Sequence, residues 1–410
     1  MQTEMIVGAL LSTLVFLLFI ACIVYWVRGF RKRLGGTGGF ISGEPPGGAL
    51  DRKASLQLLG VLVIAVLLSR ILQYLIGHAM VYGLDFSGFN LDSMEYIWSR
   101  SDAPHYLGIA DNWYRTIGDP RFHTFLAALL VSNLSLVGAC YYLYKLVLMD
   151  GGRKNAGRAV KYLLLFPVAF FMGAGFSESL FIFLTAAAFY QARQGRFWLA
   201  GILGALSAFT RLLGVITAVF IVLEAWEQTG FYGLVREKKW KAAVKAQLPK
   251  AAAGLVVFLG VFAYLWINQA VTGDAFQFME YQREHWYQQF GLFFLNIGTL
   301  VANAMTYAWD TSLFLWIPEI IAMVAVLAVL AWTRDDQRLP DGAYGLSYYF
   351  VALAPTWLLS APRYLMAMLP LYYLLARATR NRWADAALTA VFIVLQLFMM
   401  DGFVNGMHIY

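Results

Sequence analysis

Residues 159–194 decide the fold, and they read AVKYLLLFPV AFFMGAGFSE SLFIFLTAAA FYQARQ. Inside its ends this apolar run is interrupted only by Ser177-Glu178-Ser179. As one helix it would be about 54 Å long at about 1.5 Å per residue, whereas a hydrocarbon core is about 30 Å thick. The run therefore predicts a hairpin of two membrane helices joined at Glu178.

The composition of the whole chain agrees with a bilayer environment. Of the 410 residues, 60% are hydrophobic and 13% are charged, and the mean hydropathy is +0.62. Soluble domains are about half apolar and a quarter charged. Apolar spans must be helices or a closed barrel, and these stretches lack the alternating polarity of barrel strands. We therefore predict an all-α polytopic membrane protein.

The apolar stretches predict about twelve transmembrane helices with both termini outside. The run 197–226 is divided at Arg211, because a single crossing would place the basic cluster of 236–250 on the outer side. The predicted spans are 5–27, 57–77, 124–148, 159–175, 178–194, 196–211, 213–228, 251–270, 311–332, 343–359, 362–377 and 384–401.

The distribution of charge supports this topology. The net charge of +7 comes from short basic clusters between spans, as the positive-inside rule expects, and not from a nucleic-acid-binding surface. All but seven of the 31 Lys and Arg residues fall on the predicted cytoplasmic side. We therefore predict a multi-pass protein of the cell inner (plasma) membrane, with its polar site on the extracytoplasmic face. The seven outer residues are Arg70, Arg100, Arg115, Arg121, Arg211, Arg283 and Arg363.

The chain divides into three predicted regions. Residues 1–27 predict an N-terminal transmembrane anchor, since the apolar run is too long for a signal-peptide core and its basic residues follow it. Residues 28–56, rich in Gly, predict a flexible cytoplasmic linker. Residues 57–410 form the main transmembrane domain. Its long outer segments, 78–123 and 271–310, are expected to contain interfacial helices, because apolar residues at 106, 109, 110, 113 and 114 recur at helical spacing.

Asp102 begins the predicted helix of the first outer segment. Asp followed closely by Pro104 is a good helix start, so the spacing favours an N-cap. A catalytic base at the membrane surface is the other interpretation, and the two roles are compatible. His105 lies one helical turn further on, where an exposed histidine and a phosphate contact are both open.

Three further charged residues stand where charge is unfavourable. Glu178 interrupts an apolar run, and acidic residues in such positions are usually functional. Arg211 and Arg363 lie on the side that the positive-inside rule disfavours. An anionic ligand would explain both, because guanidinium groups bind phosphate oxygens bidentately; snorkelling to lipid headgroups is the alternative. No metal-binding motif is present in the sequence, and a divalent cation held by Asp102, Glu178 and lipid phosphate stays open.

These residues belong to a series of short motifs. In order they are Asp102-Ala103-x-His105-Tyr106-x-x-Ile109-Ala110, Phe166-Pro167 with Phe176-Ser177-Glu178-Ser179-Leu180-Phe181, Thr210-Arg211-x-x-Gly214, Gly273-Asp274-x-x-x-Phe278 with Gln282-x-x-x-Trp286, and Ser360-Ala361-Pro362-Arg363-Tyr364. The series resembles the GT-C glycosyltransferases, most closely the bacterial relatives of the PIG-V mannosyltransferase family. One departure is Ser101, where that family usually has Trp.

The resemblance implies a GT-C-like catalytic domain over 57–410. Such enzymes transfer a sugar, typically mannose, from a polyprenyl or dolichyl phosphate donor to an acceptor at the outer membrane face, without a nucleotide. We therefore expect a glycosyltransferase whose partners are a polyprenyl-phosphate sugar donor, a glycolipid, protein or polymer acceptor, and membrane lipid.

The expected chemistry assigns roles to these residues. An acceptor hydroxyl needs a base and the leaving phosphate needs positive charge. Asp102 and Glu178 are the expected catalytic residues, Asp102 as the base and Glu178 orienting sugar hydroxyls or the neighbours of Asp102. The expected substrate-binding residues are His105, Tyr106, Arg211, Gln282, Trp286, Arg363 and Tyr364.

Two other classes of function are consistent with parts of the sequence. A transporter or flippase of a lipid-linked sugar predicts polar residues and broken helices at mid-membrane depth, whereas here they cluster at one face. A non-catalytic partner that anchors an envelope complex has no need of Glu178 or of the two outer arginines.

Overall fold

The computed structural model describes residues 2–37, 50–112 and 122–410. Over these residues the chain consists of α-helices with short 3₁₀ and π turns and no β-strand, which confirms the all-α prediction. The helices are α1 (Gln2–Gly35), α2 (Arg52–Tyr82), α3 (Leu91–Trp98), α4 (Ala103–Asn112), α5 (Phe122–Leu165), α6 (Glu178–Arg193), α7 (Phe197–Thr210), α8 (Thr217–Gln228), α9 (Phe231–Arg236), α10 (Trp240–Val256), α11 (Phe258–Thr272), α12 (Gln277–Trp286), α13 (Phe293–Thr306), α14 (Trp309–Thr311), α15 (Ile317–Trp332), α16 (Leu339–Ala352), α17 (Ala361–Met366), α18 (Pro370–Ala378) and α19 (Arg382–Val404).

Six helices in the described part of the chain are long and apolar enough to cross a membrane. Each contains at least one predicted span, so the structure is that of a multi-pass membrane protein. Most of the other predicted spans fall on shorter helices, including α6, α7, α8, α16 and α18, whereas 159–175 covers the end of α5 to Leu165 and then an irregular segment, not a helix to 175. The predicted number of about twelve crossings is therefore not confirmed. The six are Thr3–Gly35, Arg52–Tyr82, Thr124–Leu165, Trp240–Thr272, Trp309–Trp332 and Arg382–Val404.

Residues 159–194 fold as two helical arms. The first arm ends with α5 at Leu165, two residues before Pro167, which cannot continue a helix without losing a hydrogen bond. A 3₁₀ turn follows, and Gly175 takes a left-handed conformation at φ +73° before α6 begins at Glu178. The second predicted break is also present, because Arg211 has extended backbone between α7 and the next turn.

The irregular segment 166–177 is held by side chains of α2. Arg70 Nη1 donates to the Ala169 carbonyl (3.2 Å), Gln73 Nε2 to that of Phe170 (3.1 Å), and Tyr74 Oη to that of Gly173 (2.8 Å). Broken helices at membrane depth need such partners, because no water is available there for the freed carbonyl groups. Helix α2 thus fixes the segment that leads to Glu178.

Helix α1 packs on the domain that follows it in sequence. Gly8 lies against Gly298 of α13, so that a Cβ at Gly8 would be 3.1 Å from the Gly298 Cα atom, and the Phe19 and Phe293 rings meet edge to face.

In the predicted linker, α1 extends to Gly35 and α2 begins at Arg52, while 38–49 lie outside the described residues. Helix α4 covers 103–112 of the first predicted interfacial helix; positions 113 and 114, Arg115 and Arg121 lie outside the described residues as well.

Helix α7 makes its closest backbone contacts with α10 and α11 through glycine. A Cβ at Gly201 would collide with the Ala253 carbonyl oxygen, and a Cβ at Gly260 with the Ala205 carbonyl oxygen. Small residues allow this approach, which is the usual basis of helix packing in membranes.

We predict that Gly260→Leu destabilises the protein strongly, because the side chain would push α11 away from the backbone of α7. The control is Gly60→Leu on α2, where an added Cβ meets no atom within 4 Å. Thermal unfolding in detergent should show a lower melting temperature for Gly260→Leu alone. Equal melting temperatures for the two variants would contradict the packing described.

Candidate active site

Four charged side chains from distant parts of the chain meet at one end of the helices. Asp102 directly precedes α4, Glu178 is the first residue of α6, Arg211 directly follows α7, and Arg363 lies in α17. Each stands where a helix begins or ends, and Glu178 and Arg211 lie at the two breaks described above. Two carboxylates and two guanidinium groups give the cluster no net charge.

The cluster is joined by three ion pairs. An Arg211 Nη1 donor binds Glu178 Oε1, and Arg363 Nη2 donates to Asp102 Oδ2 at 2.7 Å. Arg363 Nε is 3.4 Å from the same Glu178 oxygen. The Glu178 side chain is only 1% exposed and lies between both arginines, whereas that of Asp102 is 21% exposed. Glu178 is therefore the buried centre of the cluster, and Asp102 is its accessible carboxylate.

Asp102 starts α4 through its backbone. Its carbonyl oxygen accepts from the N–H groups of His105 (3.1 Å) and Tyr106 (3.3 Å), while its carboxylate binds Arg363. Ser101 precedes it with φ +56°, a conformation that is uncommon outside glycine. The turn thus begins the helix and also directs the Asp102 carboxylate towards the cluster.

Aromatic rings surround the two guanidinium groups. The Tyr364 ring lies 5.5 Å from the guanidinium carbon of Arg211 and 5.8 Å from that of Arg363. Arg363 also lies 5.3 Å from the Phe171 ring and 5.5 Å from the Phe176 ring. Cation–π contacts of this kind favour a fixed position of the charge, so both arginines are held from several sides.

A cavity of about 840 Å³ opens at the cluster. Eight of the nine predicted site residues line it, and Glu178 lies behind its wall, bound to Arg211 and Arg363. Desolvation raises the pKa of the Tyr106 phenol, so this residue can donate a hydrogen bond but is a poor base. The eight are Asp102, His105, Tyr106, Arg211, Gln282, Trp286, Arg363 and Tyr364; His285, Gln288, Ser360 and Tyr410, which had no predicted role, line it too.

Two further depressions continue from this cavity. A cleft of about 1220 Å³ lies between the end of α7, α11, α12 and the end of α16, and shares Arg211 and Tyr364 with the cavity. A groove of about 890 Å³ between α1, α8, α16 and the junction of α10 with α11 meets the cleft at Val351. Its walls are almost entirely apolar, and Phe19, Trp26 and Phe258 are among them. The cavity, the cleft and the groove thus adjoin one another along the helices, and the groove is the most apolar of the three.

Two residues that contribute to the site were given no role in it from the sequence. Arg70 holds the segment before Glu178, and Glu319 accepts hydrogen bonds from the Ala361 N–H at the start of α17. An acidic residue inside the apolar span 311–332 was a usable signal for Glu319. Among the residues that the structure describes, no group of three His, Cys, Asp or Glu side chains is placed to hold a metal ion.

The chain is similar to known mannosyltransferases over its middle part. Residues 121–288 match the family model Mannosyltransferase (PIG-V). Over 151 residues, 30% of this chain and 31% of the relative, it is 29% identical to GPI alpha-1,6-mannosyltransferase 2 of Cricetulus griseus and 32% identical to that of Rattus norvegicus. The Mus musculus protein is 36% identical over 94 residues. The chain thus spans about a third of the length of the first two relatives and 19% of that of the Mus musculus protein, and no solved structure matches it.

We predict that removing Glu178 alone costs about 3–5 kcal/mol of unfolding free energy, because the largely buried Arg211 loses its carboxylate partner and Arg363 keeps only Asp102. The variant Glu178→Leu should therefore melt well below the wild type in detergent. The double variant Glu178→Leu/Arg211→Leu should recover part of the loss, since it removes the unpaired charge as well. A double variant less stable than Glu178→Leu would show that the pair is not coupled in this way.

Proposed function

We propose that this chain, whose motifs and middle segment resemble the PIG-V family, is a membrane mannosyltransferase that uses a polyprenyl-phosphate donor and an acceptor on the extracytoplasmic face. The observation that carries the proposal is the cluster of Asp102, Glu178, Arg211 and Arg363 at the cavity. The matched segment contains Glu178, Arg211, Gln282 and Trp286, so the resemblance covers part of the cavity wall.

The cluster contains the groups that transfer from a phosphate requires. Asp102 accepts the proton of the acceptor hydroxyl, whose oxygen forms the new bond to the anomeric carbon. The bond from that carbon to the phosphate oxygen breaks, and its electron pair leaves with the phosphate. Arg211 and Arg363 balance the charge that develops on this oxygen. Glu178 is too buried to reach the sugar and acts as a positioning residue for both arginines.

The cleft and groove suit the lipid part of the donor. A polyprenyl chain attached to a phosphate at Arg211 enters the cleft first and then reaches the apolar groove at Val351. The alternative surroundings of the isoprenoid chain are lipid tails of equal apolarity, so its fit in the groove depends on van der Waals packing against the side chains. We infer that the chain passes between α11 and α16, which gives the enzyme its preference for a lipid-linked donor.

The proposed topology has about twelve crossings in the cell inner (plasma) membrane. Six are the long helices, and the others are short helices such as α6 and α7, whose mismatch with the bilayer costs only fractions of a kcal/mol per Å. The sorting of Lys and Arg supports a cavity on the extracytoplasmic face, since the basic clusters lie between the other ends of the spans.

We predict that Asp102→Asn lowers turnover at least about 100-fold and leaves the fold intact, because the amide cannot accept the proton. Purified protein is incubated with labelled polyprenyl-phosphate-mannose and membrane lipids, and label in a new product is measured. The control is Asp92→Asn in α3, an exposed carboxylate of the same outer segment, which should transfer like the wild type. A wild-type rate of transfer by Asp102→Asn would refute the assignment of Asp102 as the base. Movement of the donor across a vesicle membrane, without covalent transfer of mannose, would favour the flippase function instead.

We predict that Val351→Trp discriminates between donors by chain length. The indole would fill the junction of cleft and groove, so turnover with a long polyprenyl donor should fall on the order of tenfold, equivalent to about 1.4 kcal/mol. A donor with two isoprene units should be used as before. The control is Val391→Trp on the exposed face of α19, which should change neither rate. Equal losses with both donors would contradict the proposed path.

A further inference from the structure

Glu319 is a buried carboxylate in an apolar helix. It is the third residue of α15, between Pro318 and Ile320, and only 2% of it is exposed. A carboxylate in such surroundings is strongly unfavourable unless it is bound by donors. The partner of this side chain therefore identifies what the residue does.

Both oxygens of Glu319 accept from a single backbone group. The Ala361 N–H lies 3.0 Å from Oε1 and 2.8 Å from Oε2. Ala361 is the first residue of α17, where N–H groups have no partner within the helix, and the next residue, Pro362, has none to offer. Glu319 thus acts as a cap that α15 supplies to the start of α17.

The helix that Glu319 caps carries one wall of the cavity. Arg363 lies two residues after Ala361 and binds Asp102, while Ser360 and Tyr364 line the cavity on either side. The Tyr348 hydroxyl donates to the Tyr364 carbonyl at 3.0 Å and holds α17 further along. With six residues, α17 is too short to be held by its own hydrogen bonds alone, so the place of Arg363 depends on these outside contacts.

We propose that Glu319 is a positioning residue for the transfer reaction, acting through the Ala361 N–H on Arg363. The inference rests on the proposed function, because it assumes that Arg363 stabilises the leaving phosphate. A displacement of about 1 Å in a catalytic group is enough to cost about 100-fold in rate. Glu319 would contribute to turnover without touching either substrate.

Two substitutions separate the hydrogen bond from the charge. Glu319→Leu removes the acceptor and makes the span more apolar, so membrane insertion is not impaired. It should lower kcat about 10- to 100-fold with a smaller change in the KM of the donor. Glu319→Gln keeps one oxygen for the Ala361 N–H and should stay within about threefold of the wild type. A glutamine variant as slow as the leucine variant would overturn the proposed contact.

A double-mutant cycle tests the route through Arg363. If Glu319 acts by placing Arg363, then Glu319→Leu should add little to the loss already caused by Arg363→Lys. Losses that multiply in the double variant would overturn the proposal. The matched control is Glu224→Gln in α8, a carboxylate with the same 2% exposure that pairs with Arg338 and does not line the cavity. This variant should leave kcat unchanged, and a loss equal to that of Glu319→Leu would show a general effect of buried acids.

Hydrogen–deuterium exchange separates this inference from the proposed function. In full-length protein in detergent, the peptide that contains 359–366 should exchange faster in Glu319→Leu than in the wild type, in Glu319→Gln or in Glu224→Gln. This readout needs no substrate. If exchange in Glu319→Leu is unchanged, the capping role of Glu319 is overturned, even when the wild type transfers mannose. If Glu319→Leu exchanges faster but the wild type transfers no mannose, the contact is retained and only the proposed function is refuted.

Discussion

The rest of the site depends on the mutual neutralisation of four charges in an apolar surrounding. An isolated carboxylate or guanidinium group is too costly to bury, and the cost is offset only when each charge has a close partner. Glu178 fulfils this condition for Arg211 and Arg363, and Arg363 in turn binds the more exposed Asp102. Because the partners come from four separate segments, the cluster ties these segments together and closes one end of the helix assembly.

This constraint explains why the helices are broken where they are. A side chain within a continuous span faces lipid or a neighbouring helix, whereas one at a helix end can turn into a shared cavity. Glu178 and Arg211 both take such terminal positions. The freed carbonyl groups before Glu178 are bound by Arg70, Gln73 and Tyr74 of α2. The short helices α6, α7 and α8 are therefore the structural consequence of placing charge at the cavity.

The sequence was informative at positions where a charged residue is energetically unfavourable in its sequence context. Glu178 stands in an apolar run, and Arg363 falls on the side of the predicted topology where positive charge is disfavoured, so both were recognisable without knowledge of their neighbours in space. The hairpin followed from length alone. Arg70 was recognised only as an outer arginine, and Glu319 was not singled out, because their partners are backbone groups of distant segments, and no spacing rule relates position 319 to 361. Helix lengths were also hard to predict, since several predicted spans correspond to helices shorter than 18 residues.

The neutrality of the cluster has a consequence for the proposed reaction. A donor phosphate brings negative charge to a site whose two guanidinium groups are already paired, so it competes with Glu178 and Asp102 for them. Glu178 is buried and bound by both arginines, whereas Asp102 is more exposed and is bound by Arg363 at 2.7 Å. The phosphate therefore displaces Asp102 more readily than Glu178. Arrival of the donor would thus free the Asp102 carboxylate from Arg363 and leave its oxygens open to the acceptor hydroxyl.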